Sequence, residues 1–257
     1  MNYLELLAVL DKWLQQQPSI AGAAIVGSHA RHSATEESDV DIALLTSDID
    51  AYTQHWQWLT ELLPQAQNIR RETWGPVIAL RFWLDELEVE LNFTPLFWTN
   101  VPVDPGTANV VMGGMTVMKD KYGKLAELIE AVAAGEVVNI RTHKPEDATA
   151  IADVFHRAVH SIPPQLYNEQ QKMAWSSQVD IERWQTRIEK SRPFVAEYQD
   201  KIVGFIELEA NGYIDCFYVA PEVQSMGIGG QLFQQVVNEA SGFGLQQLSV
   251  AASDHAK

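Results

Sequence analysis

Two kinds of hydrophobic pattern alternate along the chain. In some segments apolar residues recur every three or four positions, which predicts amphipathic helices; in others they form short runs, which predict strands. The predicted helices are 4–14, 52–63, 125–134, 146–160, 180–191 and 228–240. The predicted strands are 20–26, 40–45, 77–83, 87–93, 137–141, 194–198, 202–208, 213–219 and 245–251. Helices interleave with strands that are joined by turns, so the predicted fold class is α/β, of the α+β kind, with antiparallel hairpins in mixed sheets.

A change of pattern about halfway along the chain divides it. The helix at 125–134 stops before Gly135, a residue type that often follows a helix end. A short strand comes next, and Pro145 then marks the start of a new helix. A length of 257 residues suits two domains of ordinary size. We therefore predict a first domain at 1–137 and a second at 138–257.

Composition restricts the classes of partner. Lys and Arg number 18 against 34 Asp and Glu, a net charge of −16, which argues against a broad basic groove for nucleic acid or an anionic membrane face. No apolar run reaches the ~18 residues of a membrane span, and the N-terminus lacks the basic start of a secretory signal. The single cysteine, Cys216, precludes an internal disulfide and favours a reducing compartment. We expect a cytoplasmic protein, either monomeric or homo-oligomeric.

Two carboxylates follow a Gly-Ser turn in the first domain. Gly27 and Ser28 end the strand at 20–26, and Asp39 and Asp41 begin the next strand. Side chains at i and i+2 of a strand share a face, so the two aspartates point together and suit a Mg²⁺ ion shared with substrate phosphates. Gly27 lets the backbone approach a phosphate, and Ser28 offers a hydroxyl and an amide. A third carboxylate is available on the strand at 87–93.

This arrangement resembles the minimal nucleotidyltransferases of the DNA polymerase β superfamily over about residues 18–95. The resemblance implies a nucleotidyltransferase-fold mixed sheet with helices, in which Asp39, Asp41 and an acidic residue of the third strand bind Mg²⁺. Gly27 and Ser28 would hold a nucleoside triphosphate, whose α-phosphorus an acceptor hydroxyl attacks in line. The third ligand is assigned to Glu90, with Glu88 as the alternative.

A glycine-rich loop lies between the strand at 213–219 and the helix at 228–240. A strand, a glycine turn and a helix N-terminus form an anion site, because unpaired N–H groups and the helix dipole converge there. A dinucleotide fingerprint would need glycine where Leu232 stands, and the Gly-Lys-Ser/Thr of a P-loop is absent. The remaining pattern is Q-x-x-G-x-G, which begins at Gln224.

This loop, with the paired strands before it, resembles the GNAT acetyltransferases. The resemblance implies acetyl-CoA as cofactor, its pyrophosphate held by backbone amides and its pantetheine arm and acetyl carbonyl held by the preceding strand. The implied cofactor-binding residues are Phe217, Val219, Gln224, Met226, Gly227, Ile228, Gly229 and Gly230. Glu207 and Asp215 are the candidate bases for a substrate amine. Cys216 lies among apolar neighbours, which predicts a packed thiol rather than a reactive one.

The last residues of the sequence depart from the pattern of the GNAT family. Relatives continue after the strand matching 245–251 with S-x-x-A, a helix that supplies a tyrosine acid, and two more strands. Here Ser253 to Ala256 is followed by Lys257, the last residue given. The expectation is a GNAT-fold mixed sheet lacking its last strands, which binds acetyl-CoA with little acetyl transfer.

The two halves together predict a two-domain transferase with a metal-dependent nucleotidyltransferase-like domain and an acetyl-CoA-dependent N-acetyltransferase domain. Its acceptor would be a small molecule or a protein. The alternative is a non-catalytic regulatory or antitoxin-like module that binds nucleotide and acetyl-CoA. Several tryptophans of the first domain suit either a core or an acceptor pocket: Trp56, Trp58, Trp74, Trp83 and Trp98.

Overall fold

The computed structural model describes residues 1–35 and 37–251. It divides into a first unit, Met1–Gly135, and a second unit that begins at Glu136. Within the described ranges, no helix combines the length and the apolar character needed to cross a bilayer.

The first unit is built on a mixed sheet. Its strands in the described ranges are β1 (Ile20–Val26), β2 (Val40–Thr46), β3 (Ala66–Trp74), β4 (Val77–Leu84), β5 (Leu87–Pro95) and β6 (Met115–Asp120). Its helices there are α1 (Tyr3–Gln15), α2 (Gly27–Ala30), α3 (Asp50–Thr53), α4 (Gln57–Leu62), α5 (Pro105–Met112) and α6 (Lys124–Ala133). The strand order is β3-β4-β5-β2-β1-β6. β2 and β5 run parallel and the other neighbours are antiparallel.

Helix α1 covers the core of this unit. Asn2 caps it by accepting a hydrogen bond from the backbone N–H of Glu5, whose carboxylate accepts the Asn2 N–H in return. This capping box satisfies N–H groups that would otherwise lack a partner. Leu6 and Leu10 recur four positions apart and are buried against β1, β2, β4 and β5. The apolar strand runs of the sequence therefore form the middle of the sheet.

The sequence pattern misses four elements of this unit: α2, β3, α5 and β6. Strand β3 is a sheet edge with mostly exposed, polar side chains, so it lacks the apolar alternation that identifies a strand. Its pairing with β4 defines it, through a hairpin that turns at Gly75 with φ +58°. The single helix predicted at 52–63 is wrong, because α3 and α4 are separate short helices.

The second unit contains a five-stranded sheet in the part of the chain that the structure describes. Its strands are β7 (Asn139–Thr142), β8 (Phe194–Tyr198), β9 (Lys201–Leu208), β10 (Tyr213–Val219) and β11 (Ser249–Val250). Its helices are α7 (Ala148–His160), α8 (Glu169–Trp175), α9 (Ile181–Ser191) and α10 (Ile228–Gly242). The order is β11-β10-β9-β8-β7, antiparallel except for the parallel pair β10 and β11. The α/β class, with mixed sheets in both units, is confirmed.

A buried ion pair fixes the start of α7 to β7. Arg141 donates to both carboxylate oxygens of Asp147, at 2.7 and 3.1 Å, and to Glu197 on β8 at 3.0 Å. Asp147 also accepts the backbone N–H of Lys144. Despite burial, these hydrogen bonds hold the pKa of Asp147 below its usual value. The connection therefore keeps two charged groups satisfied inside the fold.

Two predictions for this unit need correction. Helix α8 was not predicted, and the strand predicted at 245–251 is reduced to Ser249–Val250. Among the described residues, only Ser249 and Val250 of this segment pair with β10. The Ser253 to Ala256 motif lies outside the described residues.

Candidate functional sites

The carboxylates of the first unit lie on adjacent strands. Asp41 on β2 is the register partner of Glu90 on β5, so the two side chains project from the same face of the sheet. Asp39 immediately precedes β2 and is half-buried. Burial, then the charges of Asp39 and Glu90, raise the pKa of Asp41 to about 6. Three acidic groups thus repel one another at one end of β2, which favours a cation there.

The Gly-Ser turn lies against these carboxylates. Gly27 has φ +71°, and a Cβ built on it would come within 3.1 Å of Asp41 Oδ2. Its N–H donates to the carbonyl of Gly114 at 3.1 Å, which anchors the turn to the residue before β6. The hydroxyl of Ser28 is buried and has no hydrogen-bond partner among the described residues. An unsatisfied hydroxyl beside a glycine cradle provides a donor for a phosphate oxygen.

Arg81 on β4 orients the acidic side chains of β5. It donates to Glu88 at 2.8 Å and also to Glu90. One guanidinium therefore holds both glutamates. Glu90, however, is the register neighbour of Asp41, and these two side chains line one cavity on that face of the sheet. This favours Glu90 over Glu88 as the third carboxylate. The sequence could not reveal Arg81, because its partners are set by the β4–β5 register.

The glycine loop of the second unit has the backbone that its sequence suggests. Ser225 has φ +63° and Gly227 has φ +83°, and α10 begins at the next residue. The amides of 228–230 form the first turn of α10, where N–H groups have no acceptor within the helix. Gln224 donates its side-chain N–H to the carbonyl of Val219 at 3.1 Å, tying the loop to the end of β10. The loop therefore presents backbone donors beside that strand end.

Strand β10 is irregular where the resemblance places the acetyl group. Its register with β9 shifts between Ile214 and Phe217, so β10 has one extra residue there. On its other edge, β11 pairs only with Tyr213 and Ile214 among the described residues. The edge at Phe217 to Val219 is thus unpaired by β11 in that part of the chain. A bulge and an unpaired edge leave backbone groups available to a ligand.

Arg187 on α9 gathers the two candidate bases. It donates to Glu207 Oε1 at 2.9 Å, to Asp215, and to Cys216 Sγ at 3.1 Å. Ser191 donates to the same Glu207 oxygen at 2.9 Å. Among the described residues, Glu207, Asp215 and Cys216 bring three potential metal-ligand atoms within 4.8 Å of one another, whereas Asp39, Asp41 and Glu90 do not. The Arg187 guanidinium already provides the positive charge among these three side chains.

This geometry argues against Glu207 as a base. Its side chain is 1% exposed, and both of its oxygens accept hydrogen bonds from Arg187. A buried carboxylate whose two oxygens are already engaged cannot reach a substrate amine. Asp215 is 43% exposed and can meet a substrate from solvent. Glu207 therefore positions Arg187, and Asp215 is the better candidate of the two.

Cys216 should react slowly with thiol reagents. Burial, then the nearby Glu207 carboxylate, raise the pKa of this thiol well above its usual value, so little thiolate exists at pH 8. Because Cys216 is the only cysteine, Ellman's reagent reports on it alone. We expect the native chain to react at least ~100-fold more slowly than the urea-unfolded chain, since each pKa unit lowers the thiolate fraction tenfold. Equal rates would contradict the placement of Cys216.

Comparison with known proteins identifies both units. The polymerase beta nucleotidyltransferase family matches residues 9–72, and the acetyltransferase (GNAT) domain matches residues 164–257. An uncharacterized N-acetyltransferase, YafP of Escherichia coli K12, is 34% identical over 120 residues, covering 47% of this chain and 75% of YafP.

Solved structures were also matched. A GCN5-related N-acetyltransferase from Rhodopseudomonas palustris is 30% identical with a TM-score of 0.44, covering 46% of this chain and 74% of that one. The PaiA N-acetyltransferase of Thermoplasma acidophilum, in complex with coenzyme A, is 18% identical with a TM-score of 0.42, covering 47% and 82%. The identity and coverage of YafP show that the chain belongs to the GNAT acetyltransferases, a family of transferases, while residues 9–72 match the polymerase beta nucleotidyltransferase family.

Proposed function

We propose that the second unit transfers acetyl from acetyl-CoA to an amine of a small molecule or protein. The observation that carries this proposal is the loop at 224–230, where positive φ values at Ser225 and Gly227 precede a 15-residue helix. Backbone N–H groups of Met226, Gly227, Ile228, Gly229 and Gly230 would hold the coenzyme pyrophosphate. Because the donors are backbone groups, the site tolerates the acidic composition of the chain.

In this proposal β10 positions the acetyl group. The backbone of Phe217 to Val219 lies on the edge that β11 leaves unpaired, so its N–H and C=O groups can bond the pantetheine arm and polarise the thioester carbonyl. When bound, acetyl-CoA supplies the activated acetyl group. Asp215 accepts a proton from the substrate ammonium, and the neutral amine then attacks the thioester carbonyl and displaces the coenzyme A thiolate. The Arg187–Glu207 pair fixes Asp215 in place.

The first unit, in the same proposal, transfers a nucleotide with the help of Mg²⁺. The residues present fit the ion: burial, then repulsion by Asp39 and Glu90, raise the pKa of Asp41, and a cation would relieve that repulsion. When bound, Mg²⁺ would draw these carboxylates together and neutralise charge on the triphosphate. Ser28 donates its unpartnered hydroxyl to a phosphate oxygen, and Arg81 keeps Glu90 oriented toward the ion.

An acetyl-transfer assay tests the second activity. We expect the chain to release coenzyme A from acetyl-CoA when offered a panel containing ethanolamine, tyramine and a lysine-containing peptide. Asp215→Asn should lower kcat at least ~10-fold with little change in the Kd of coenzyme A, as general-base loss predicts. Glu209→Gln, an exposed carboxylate beyond β9, is the matched control. Coenzyme A binding with no release for any amine would instead favour the non-catalytic regulatory module.

A further inference from the structure

A cavity of about 590 Å³ extends from the carboxylates of the first unit along the same face of the sheet. Asp41 and Glu90 line it, and Asn92 and Thr94 line it farther along β5. At about 3.3 Å per residue, Glu90 to Thr94 spans roughly 13 Å. Trp74, at the end of β3, also borders it. Its volume falls in the range of small-molecule sites, so it can accommodate more than a metal ion and phosphates.

The lining away from the carboxylates is aromatic and uncharged. Trp74 is 60% exposed, a large apolar surface left open to solvent. Trp98 and Val110 add further apolar walls, and Asn92 and Asn109 provide carboxamides. Among the described residues that line the cavity there is no Lys or Arg. The surface therefore suits a flat, uncharged group with a few polar atoms.

The strand order places the Gly-Ser turn and the far part of the cavity on opposite sides of Asp41. Gly27 and Ser28 follow β1, on one side of Asp41, whereas β5, β4 and β3 lie successively on the other side. In an in-line displacement the attacking oxygen and the departing pyrophosphate occupy opposite sides of the phosphorus. If Ser28 holds the triphosphate, the attacking group must arrive from the side of β5. The part of the cavity lined by Asn92, Thr94 and Trp74 lies on that side.

We propose that this cavity is the acceptor subsite of the first unit, and that it takes a small, unphosphorylated alcohol bearing an aromatic ring. The ring lies against Trp74, and the carboxamide of Asn92 bonds a polar atom of the acceptor. The acceptor hydroxyl oxygen bonds to the α-phosphorus as the bond to the bridging oxygen breaks. Pyrophosphate departs and the hydroxyl proton passes to solvent water. This inference rests on the nucleotide transfer proposed above.

Charge explains the preference for an unphosphorylated acceptor. A nucleic-acid acceptor would bring further phosphates into the cavity, and its described lining holds no Lys or Arg to neutralise them. An uncharged alcohol avoids this repulsion. The same argument disfavours sugar phosphates.

The test uses 2-(4-hydroxyphenyl)ethanol as the probe, with glycerol and a thymidine oligonucleotide for comparison. The whole chain is given Mg²⁺ and a mixture of α-labelled ATP, CTP, GTP and UTP, and label transfer is measured. Saturation-transfer NMR measures probe binding without nucleotide, and calorimetry measures the affinity for Mg²⁺-nucleotide. We expect the aromatic alcohol to bind and to accept label at least tenfold better than glycerol. The oligonucleotide should accept none.

Trp74→Ala tests whether the cavity binds the acceptor or the nucleobase of the nucleotide. We expect it to weaken probe binding at least fivefold and to leave nucleotide affinity unchanged. Trp56→Ala, an exposed tryptophan outside the cavity, should change neither. The proposal is overturned if the probe binds no better than glycerol, if the oligonucleotide accepts label, or if Trp74→Ala weakens nucleotide binding instead. Failure of nucleotide to bind at all, with the probe bound normally, would overturn nucleotide transfer and with it the acceptor role.

Discussion

Gly227→Val is expected to weaken coenzyme A binding at least ~100-fold. Gly227 has φ +83° immediately before α10, a backbone conformation that costs a side-chain-bearing residue about 1–2 kcal/mol. Valine, which is branched at Cβ, would push the loop towards another conformation and displace its N–H groups. Loss of two or three amide bonds to a charged phosphate costs about 3–6 kcal/mol gross, which converts to a hundredfold or more in affinity. Fluorescence titration with coenzyme A measures this affinity.

The chain offers a matched control for the strain itself. Gly244 has φ +71° and open space around its Cβ position, and it follows the far end of a helix about 22 Å long. Gly244→Val should lower the unfolding temperature much as Gly227→Val does, but leave coenzyme A affinity unchanged. Ser225→Ala should also bind normally, because the loop donates through its backbone. Wild-type affinity in Gly227→Val would show that the pyrophosphate lies elsewhere.

The two candidate sites differ in how far the sequence predicts them. The glycine loop is local: the residues that shape it lie within a few positions of one another, and the positive φ values at Ser225 and Gly227 occur within the segment that the motif marks. Likewise, Asp39 and Asp41 are close in sequence. Because the residues of each motif are close in sequence, their spacing does not depend on how the rest of the chain folds. Both motifs could therefore be located without a structure.

Contacts between distant segments could not be predicted. Arg81 faces Glu90 because of the register of β4 and β5, and Arg187 reaches Glu207 from a helix whose exposed face is mostly polar. Nothing near either arginine in the sequence indicates its partner. For Trp74 the sequence left a core and an acceptor pocket open, because this residue ends β3, an edge strand without an apolar pattern. Pairing with β4 overrides weak local propensity there.

Asp41→Asn is expected to abolish Mg²⁺-dependent nucleotide binding while stabilising the metal-free chain. The pKa of Asp41 in the folded chain is about 6, above its ordinary value of 3.8. Folding therefore becomes less favourable as pH rises from about 4 to about 6, and the loss persists at higher pH. Asparagine removes that penalty. Since water screens part of this side chain, we expect a gain of about 1–2 kcal/mol at pH 8 in EDTA, and none at pH 4.

This prediction combines a loss of nucleotide binding with a gain of stability, and that combination distinguishes a metal ligand from a residue that only packs. Thermal unfolding in EDTA should show Asp41→Asn above wild type at pH 8, whereas calorimetry with Mg²⁺ and ATP, CTP or GTP should show at least ~100-fold weaker binding. Glu86→Gln makes the same change of charge in the exposed turn between β4 and β5 and should alter neither. If Asp41→Asn binds Mg²⁺-nucleotide like wild type, or if nucleotide binds equally without metal, the carboxylates of β2 do not form the site. A binding loss with lowered stability would mean instead that Asp41 holds the fold together.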